Sequence, residues 1–161
     1  MKRLPVSFAA LALALAGVVV PAAAAPCGPD NIAGIWSLVS IRAAEPGVEA
    51  FYARAPHEWT RYTVGPAGQI SLIYMAANRP KGSYGEIQTA LDQADAMDGV
   101  TYTVRWPRPG ILLMLRDGQP FQAFECNILD APEGDARAGD MLVTQVEGAP
   151  MLRRVERRVA P

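Results

Sequence analysis

Groups suited to metal or nucleophilic chemistry are scarce in this chain. Its 161 residues include one histidine, His57, and two cysteines, Cys27 and Cys126. Metal sites of the usual kind draw on several His, Cys or carboxylate ligands, so neither a metal nor any other cofactor is expected. His57, set between Pro56 and Glu58 just before a strand, reads as a loop residue with a local hydrogen bond. No Cys-x-x-Cys spacing marks a redox-active pair. A phosphate-binding glycine loop, a Gly-x-Ser-x-Gly elbow and a nucleophile beside its base are all missing, so no residue is given a catalytic role. Internal repeats are absent. A basic excess is absent too: 15 Lys and Arg stand against 16 Asp and Glu, which disfavours nucleic acid as a partner.

The one long apolar run is at the N-terminus. Lys2 and Arg3 precede the stretch from Leu4 to Val20, and Ala22 to Ala25 supply the small residues that a signal peptidase reads, the pattern of a cleaved secretory signal. Cleavage is expected after Ala24, because Pro26 would hinder attack one bond later. Residues 1–24 are then the signal, and residues 25–161 form one mature domain of about 137 residues with a net charge near −3. The run is short for a membrane span of about 20 residues and is interrupted by Pro5 and Pro21, so no transmembrane segment is expected in the mature chain. A lipid on Cys27 is disfavoured by Pro26 before it and by Ala24 where Leu is usual. Export to the periplasm or beyond places both cysteines in an oxidising compartment, where two cysteines make one bridge. The Cys27–Cys126 loop is long, and the chain-entropy model gives roughly 4 to 5 kcal/mol for closing it.

Past the signal there are eight strand candidates: Ile35 to Arg42, Glu58 to Val64, Gln69 to Met75, Val100 to Trp106, Ile111 to Arg116, Phe121 to Ile128, Met141 to Glu147 and Met151 to Val159. Gly65-Pro66-Ala67-Gly68, Asp117-Gly118 and Gly148-Ala149-Pro150 join three neighbouring pairs as hairpins. In the fourth strand Val100, Tyr102, Val104 and Trp106 share one face, and Thr101, Thr103 and Arg105 the other. Two segments carry helical spacing instead. Ser83 stands three residues before Glu86 as in a capping box, and Ile87, Ala90, Leu91, Ala94 and Met97 follow on one face until Gly99. A shorter helix is bounded by Pro46 and Pro56 and places Val48, Phe51, Tyr52 and Ala55 together. The acidic, Pro- and Gly-containing loop from Asp130 to Asp140 reads as mobile and solvated.

Sequential hairpins predict an all-β fold, an eight-stranded antiparallel up-and-down barrel with one or two short helices, since closing the sheet hides its edges. A two-sheet sandwich is the alternative that spacing does not exclude. Gly34-Ile35-Trp36-Ser37-Leu38-Val39-Ser40, Gly68-Gln69-Ile70-Ser71-Leu72, Arg79-Pro80, the helix, Tyr102-Thr103-Val104 and Leu152-Arg153-Arg154-Val155, taken in order, resemble the short bacterial lipocalin-like proteins of the calycin superfamily. The resemblance spans most of the mature chain, although Gly-x-Trp alone is common. It implies a barrel closed at one end, with Trp36 as the seal and Arg153 or Arg154 packed over its ring. Only one of the two arginines serves, because alternate residues face opposite sides. The helix lies between the third and fourth strands rather than after the last, which tells against the classical lipocalins and their retinoid or bilin ligands.

Trp59, Tyr62, Tyr74, Met75, Tyr102, Trp106, Phe121 and Phe124 offer an apolar lining with tyrosine hydroxyls, or equally a filled core. Arg61 and Arg105, if inward, favour an acidic ligand. The ligand-pocket candidates are therefore Trp59, Arg61, Tyr62, Tyr74, Tyr102, Arg105 and Phe124. Glu58 and Glu125 are acids within strands; an inward one is a possible general base, but such residues more often face water or pair with arginine. Arg153, Arg154, Arg157 and Arg158 form the strongest charge run, either a solvated face or a patch for an acidic partner or anionic lipid. Three functions follow. The first is a periplasmic or secreted protein that binds a small hydrophobic or amphipathic molecule in the barrel. The second is a filled barrel acting as an accessory or interaction module with a protein partner. The third is an isomerase or cyclase.

Overall fold

The computed structural model describes residues 24–53, 57–65, 70–77, 82–98, 102–146 and 152–161. The expected export signal, Arg79-Pro80 and residues 66–69 and 147–151, where two of the hairpin turns are expected, lie outside the described residues. The chain is mostly antiparallel β, a curled, barrel-like sheet with three short helices. In order the elements are β1 (Ala25–Pro26), α1 (Pro29–Ile32), β2 (Gly34–Ala43), α2 (Pro46–Ala53), β3 (His57–Val64), β4 (Ile70–Ala77), α3 (Tyr84–Asp98), β5 (Tyr102–Arg108), β6 (Ile111–Arg116), β7 (Gln119–Ile128), β8 (Met141–Gln145) and β9 (Leu152–Arg158).

From β2 to β9 each strand pairs with the next, and β9 pairs with β2. The short β1 adds to the last residues of β7, with Ala25 opposite Ile128 and Pro26 opposite Asn127. Three register shifts interrupt the ladders, between Leu38 and Ser40, between Arg105 and Arg108, and between Met114 and Leu115. An extra residue on one strand bends it and increases its twist, which helps the sheet to curl. The β6–β7 turn follows the local chemistry read in the sequence: Asp117 and Gly118 have φ of 50° and 77°, the positive values of a tight hairpin turn.

Two apolar clusters lie on opposite faces of the sheet. The inner one contains Trp36, Tyr62, Val104, Leu112, Met141 and Val143 together with Ile32 and the two cysteines, and Tyr102, Trp106, Met114, Phe124 and Ile128 pack against it. The outer one joins Ile35 and Trp59 of the sheet to Ile87 and Leu91 of α3. Burying two such aliphatic side chains under a helix stabilises by about 1.5–3 kcal/mol each. The helix begins as its sequence dictates. The Glu86 carboxylate accepts from the Ser83 backbone N–H at 2.7 Å and from its hydroxyl at 3.0 Å, while Ser83 Oγ accepts from the Glu86 N–H at 3.4 Å.

The loop after β7 is mostly exposed and is anchored at its end by Asp140. Asp140 is 2 % exposed and accepts from the Arg137 N–H at 2.8 Å and from Arg157 at 2.9 and 2.7 Å. Leu129 N–H donates to the Asp140 carbonyl, Gly139 N–H donates to the Leu129 carbonyl, and Glu133 and Ala136 bridge each other. A two-pronged arginine–carboxylate contact anchors the end of a loop that is otherwise mostly exposed.

Candidate functional site

The N-terminal segment packs against one end of the sheet. Pro29 opens α1, where its missing N–H costs nothing. The Asn31 side chain accepts from Gly28 N–H and donates to the Pro26 carbonyl. The Cys27–Cys126 disulfide, with Cα atoms 5.3 Å apart, ties this segment to β7. Ile32 is fully buried, and its carbonyl accepts the Trp36 indole N–H at 2.7 Å. The cation above the Trp36 ring belongs to Arg158, whose guanidinium carbon is 4.4 Å from the ring centroid. The same guanidinium donates to the carbonyls of Asn31 and Ala33. This corrects the expected assignment to Arg153 or Arg154. Trp36 stands opposite Arg158 in the β2–β9 register, whereas Arg153 and Arg154 stand opposite Arg42 and Ile41.

The other arginines of the run are also engaged. Arg153 pairs with Glu133, Arg157 with Asp140, and Arg154 Nη2 lies 2.9 Å from Glu156 Oε1. The C-terminal charge run is thus mostly spent on the chain's own acids and carbonyls.

The Arg154–Glu156 pair is the main polar feature of the inner face. Glu156 stands opposite Met141 and Leu38, and Arg154 opposite Val143 and Ile41. The two side chains are 11 % and 3 % exposed. At this depth an isolated charge is prohibitive, and the pair holds only because each neutralises the other. Glu156 Oε2 has no hydrogen-bond partner among the described residues, and neither does the buried indole N–H of Trp106. Tyr62 is 5 % exposed on the same face. Burial, with a smaller addition from the negative charge of Glu156, pushes its phenol well above the ordinary tyrosine range. It is a neutral donor at any physiological pH.

The structure divides the seven pocket candidates. Tyr62, Tyr102 and Phe124 belong to the inner cluster. Trp59 lies on the outer face against α3, and Arg61 there pairs with Asp92 of the helix. Arg105 is exposed, beside inward Val104. The side chain of Tyr74, like those of Met75, His57 and Glu58, lies outside the described residues. Trp59, Arg61 and Arg105 are therefore not brought to the interior, because the parity of β3 and β5 turns them to the other face. Glu125 is exposed next to inward Phe124; among the described residues the inward carboxylate is Glu156, which is not among the sequence candidates. Its signal was the alternation of Arg154, Glu156 and Arg158 along one face of β9.

At the other end, Tyr102 and Phe121 meet with ring centroids 6.0 Å apart, and Phe121 is 52 % exposed. The inner face thus runs from the Trp36–Arg158 contact to the Tyr102–Phe121 pair.

No protein-family model, curated protein or solved structure matches this chain.

Its chemistry therefore has to be read from the geometry. Among the described residues no group of three or more His, Cys, Asp or Glu side chains is placed to hold a metal, and no helix is long and apolar enough to cross a membrane. The inner face of the curled sheet is apolar around a buried ion pair, and among the described residues Glu156 Oε2 lacks a donor and the Trp106 indole N–H lacks an acceptor.

Proposed function

We propose that this protein is an exported, lipocalin-like calycin whose eight strands close into a barrel and take up a small apolar or amphipathic molecule. The observation that carries the reading is the inner face itself, where an apolar cluster surrounds the buried Arg154–Glu156 pair. A core that served stability alone gains little from such a pair, since hydrophobic residues of similar volume are often as stable or more so. The return of β9 to β2 supports closure, and the Trp36–Arg158 floor supports a cup with one open end. The secretory pattern at the N-terminus and the Cys27–Cys126 bridge fit a periplasmic or secreted protein.

Native mass spectrometry of the protein recovered from the periplasm tests the reading, together with titration of a panel of hydrophobic fluorescent probes. The expected result is a co-purifying small molecule, or a probe whose emission rises on binding and falls on displacement. A ligand-free mass combined with no response from any probe rejects interior binding.

A further inference from the structure

We propose that the interior selects a neutral, hydroxyl-bearing apolar molecule, whose hydroxyl donates to Glu156 Oε2, over the carboxylate of the same chain. The inference rests on the interior-binding reading above and names the class of ligand.

Glu156 is 2 % exposed. Its Oε1 lies 2.9 Å from Arg154 Nη2, while its Oε2 has no hydrogen-bond partner among the described residues. A buried acceptor left in that condition carries the full desolvation penalty, larger for a charged group than for a neutral one. A ligand donor removes the penalty, so the site has a built-in preference for one.

Charge decides which donor. Arg154 already balances Glu156, so a ligand ammonium adds an uncompensated positive charge to a low-dielectric interior. A ligand carboxylate adds a negative charge beside Glu156 and offers no donor to its Oε2. A hydroxyl adds no charge and donates. Its own oxygen also accepts, which suits an inner face where Tyr62 stays protonated and the buried Trp106 N–H has no acceptor among the described residues. Met141, Leu38 and Val143, directly opposite Glu156 and Arg154 in the ladders, supply the apolar surroundings for the rest of the molecule.

The test is displacement of a neutral naphthylamine dye at neutral pH by dodecanol, dodecanoate, dodecylammonium and dodecane, with Glu156→Leu and Glu156→Gln alongside wild type. Dodecanol is expected to bind about tenfold more tightly than any of the other three, the worth of one hydrogen bond to a charged acceptor. Glu156→Leu should abolish that advantage, and Glu156→Gln, which keeps an acceptor, should retain part of it. Dodecanoate binding as tightly as dodecanol overturns the proposal, and so does an alcohol preference that survives in Glu156→Leu. The wild-type comparison decides by itself if the leucine variant does not fold. If dye and dodecane bind without any preference for the alcohol, interior binding stands and the hydroxyl class falls; if the dye and all four compounds fail to bind, both fall.

Discussion

Gly34 and Trp36 were conspicuous in the sequence, and the residue that completes their contact was not. The sequence reading offered Arg153 or Arg154, and the molecule uses Arg158. What decides is the β2–β9 register, which contains a shift between Leu38 and Ser40; a bulge is a pairing event between segments more than a hundred residues apart, and neither segment announces it. The glycine of the motif then has a specific reason. Its φ is +128°, and a Cβ there would sit 2.9 Å from Arg158 Nη1. Arg158 is long enough to move aside, but moving gives up its stack on Trp36 and its bonds to the Asn31 and Ala33 carbonyls. Gly34→Ala should therefore destabilise by about 1–3 kcal/mol, the range for an L-residue forced into a conformation essentially reserved for glycine. Gly28→Ala is the matched control: the backbone there is extended, with φ of −162°, and a Cβ meets nothing within 4 Å. Urea denaturation of both variants checks this, and equal midpoints would remove the argument.

At the scale of elements, legibility follows how local the cause is. The α3 helix was readable because its start is set by two residues three apart and its inward stripe by Ile87 and Leu91 at a spacing of four. The loop between β7 and β8 was legible as an exposed, turn-rich segment from its composition, while its anchor was not, because Asp140 is held by Arg157, 17 residues beyond it. The four-residue α1 was missed altogether; its cues are only Pro29 and Asn31, and its burial depends on Trp36 and the disulfide. The α3 cap carries a pH prediction. Backbone and side-chain bonds from Ser83 hold the Glu86 carboxyl below the usual glutamate range. A depressed folded pKa means that the contribution is fully present above the unfolded value and is lost as pH falls through the folded one. The first turn of α3 should accordingly lose hydrogen-exchange protection on acidification from neutral pH, and Ser83→Ala should flatten that dependence. A wild-type helix with the same first-turn protection throughout, relative to the rest of α3, would contradict it.

The whole molecule is held together where its two ends meet. The N-terminal segment brings Cys27 to Cys126, Ile32 to Trp36, and the Asn31 and Ala33 carbonyls to Arg158 near the C-terminus. Two cysteines behind an N-terminal pattern of the export type made the bridge legible, but its place beside Trp36 and Arg158 was not, because that depends on the segment from Pro26 to Ala33 folding back across the sheet. The bridge spans 99 residues, and the chain-entropy model assigns roughly 4 to 5 kcal/mol to closing such a loop, an upper figure. Against a typical domain stability of about 5–15 kcal/mol, that is a large share. Reduction, or the pair Cys27→Ala and Cys126→Ala, should lower the urea midpoint strongly. It should also raise the denaturant slope, because the unbridged unfolded chain expands and exposes more surface. The two readouts separate the causes. A fall in midpoint at unchanged slope would place the loss in native packing around two fully buried sulfurs rather than in the unfolded chain. A midpoint that stays put while alkylation shows both thiols free would mean that Arg158 and Trp36 hold the floor without covalent help.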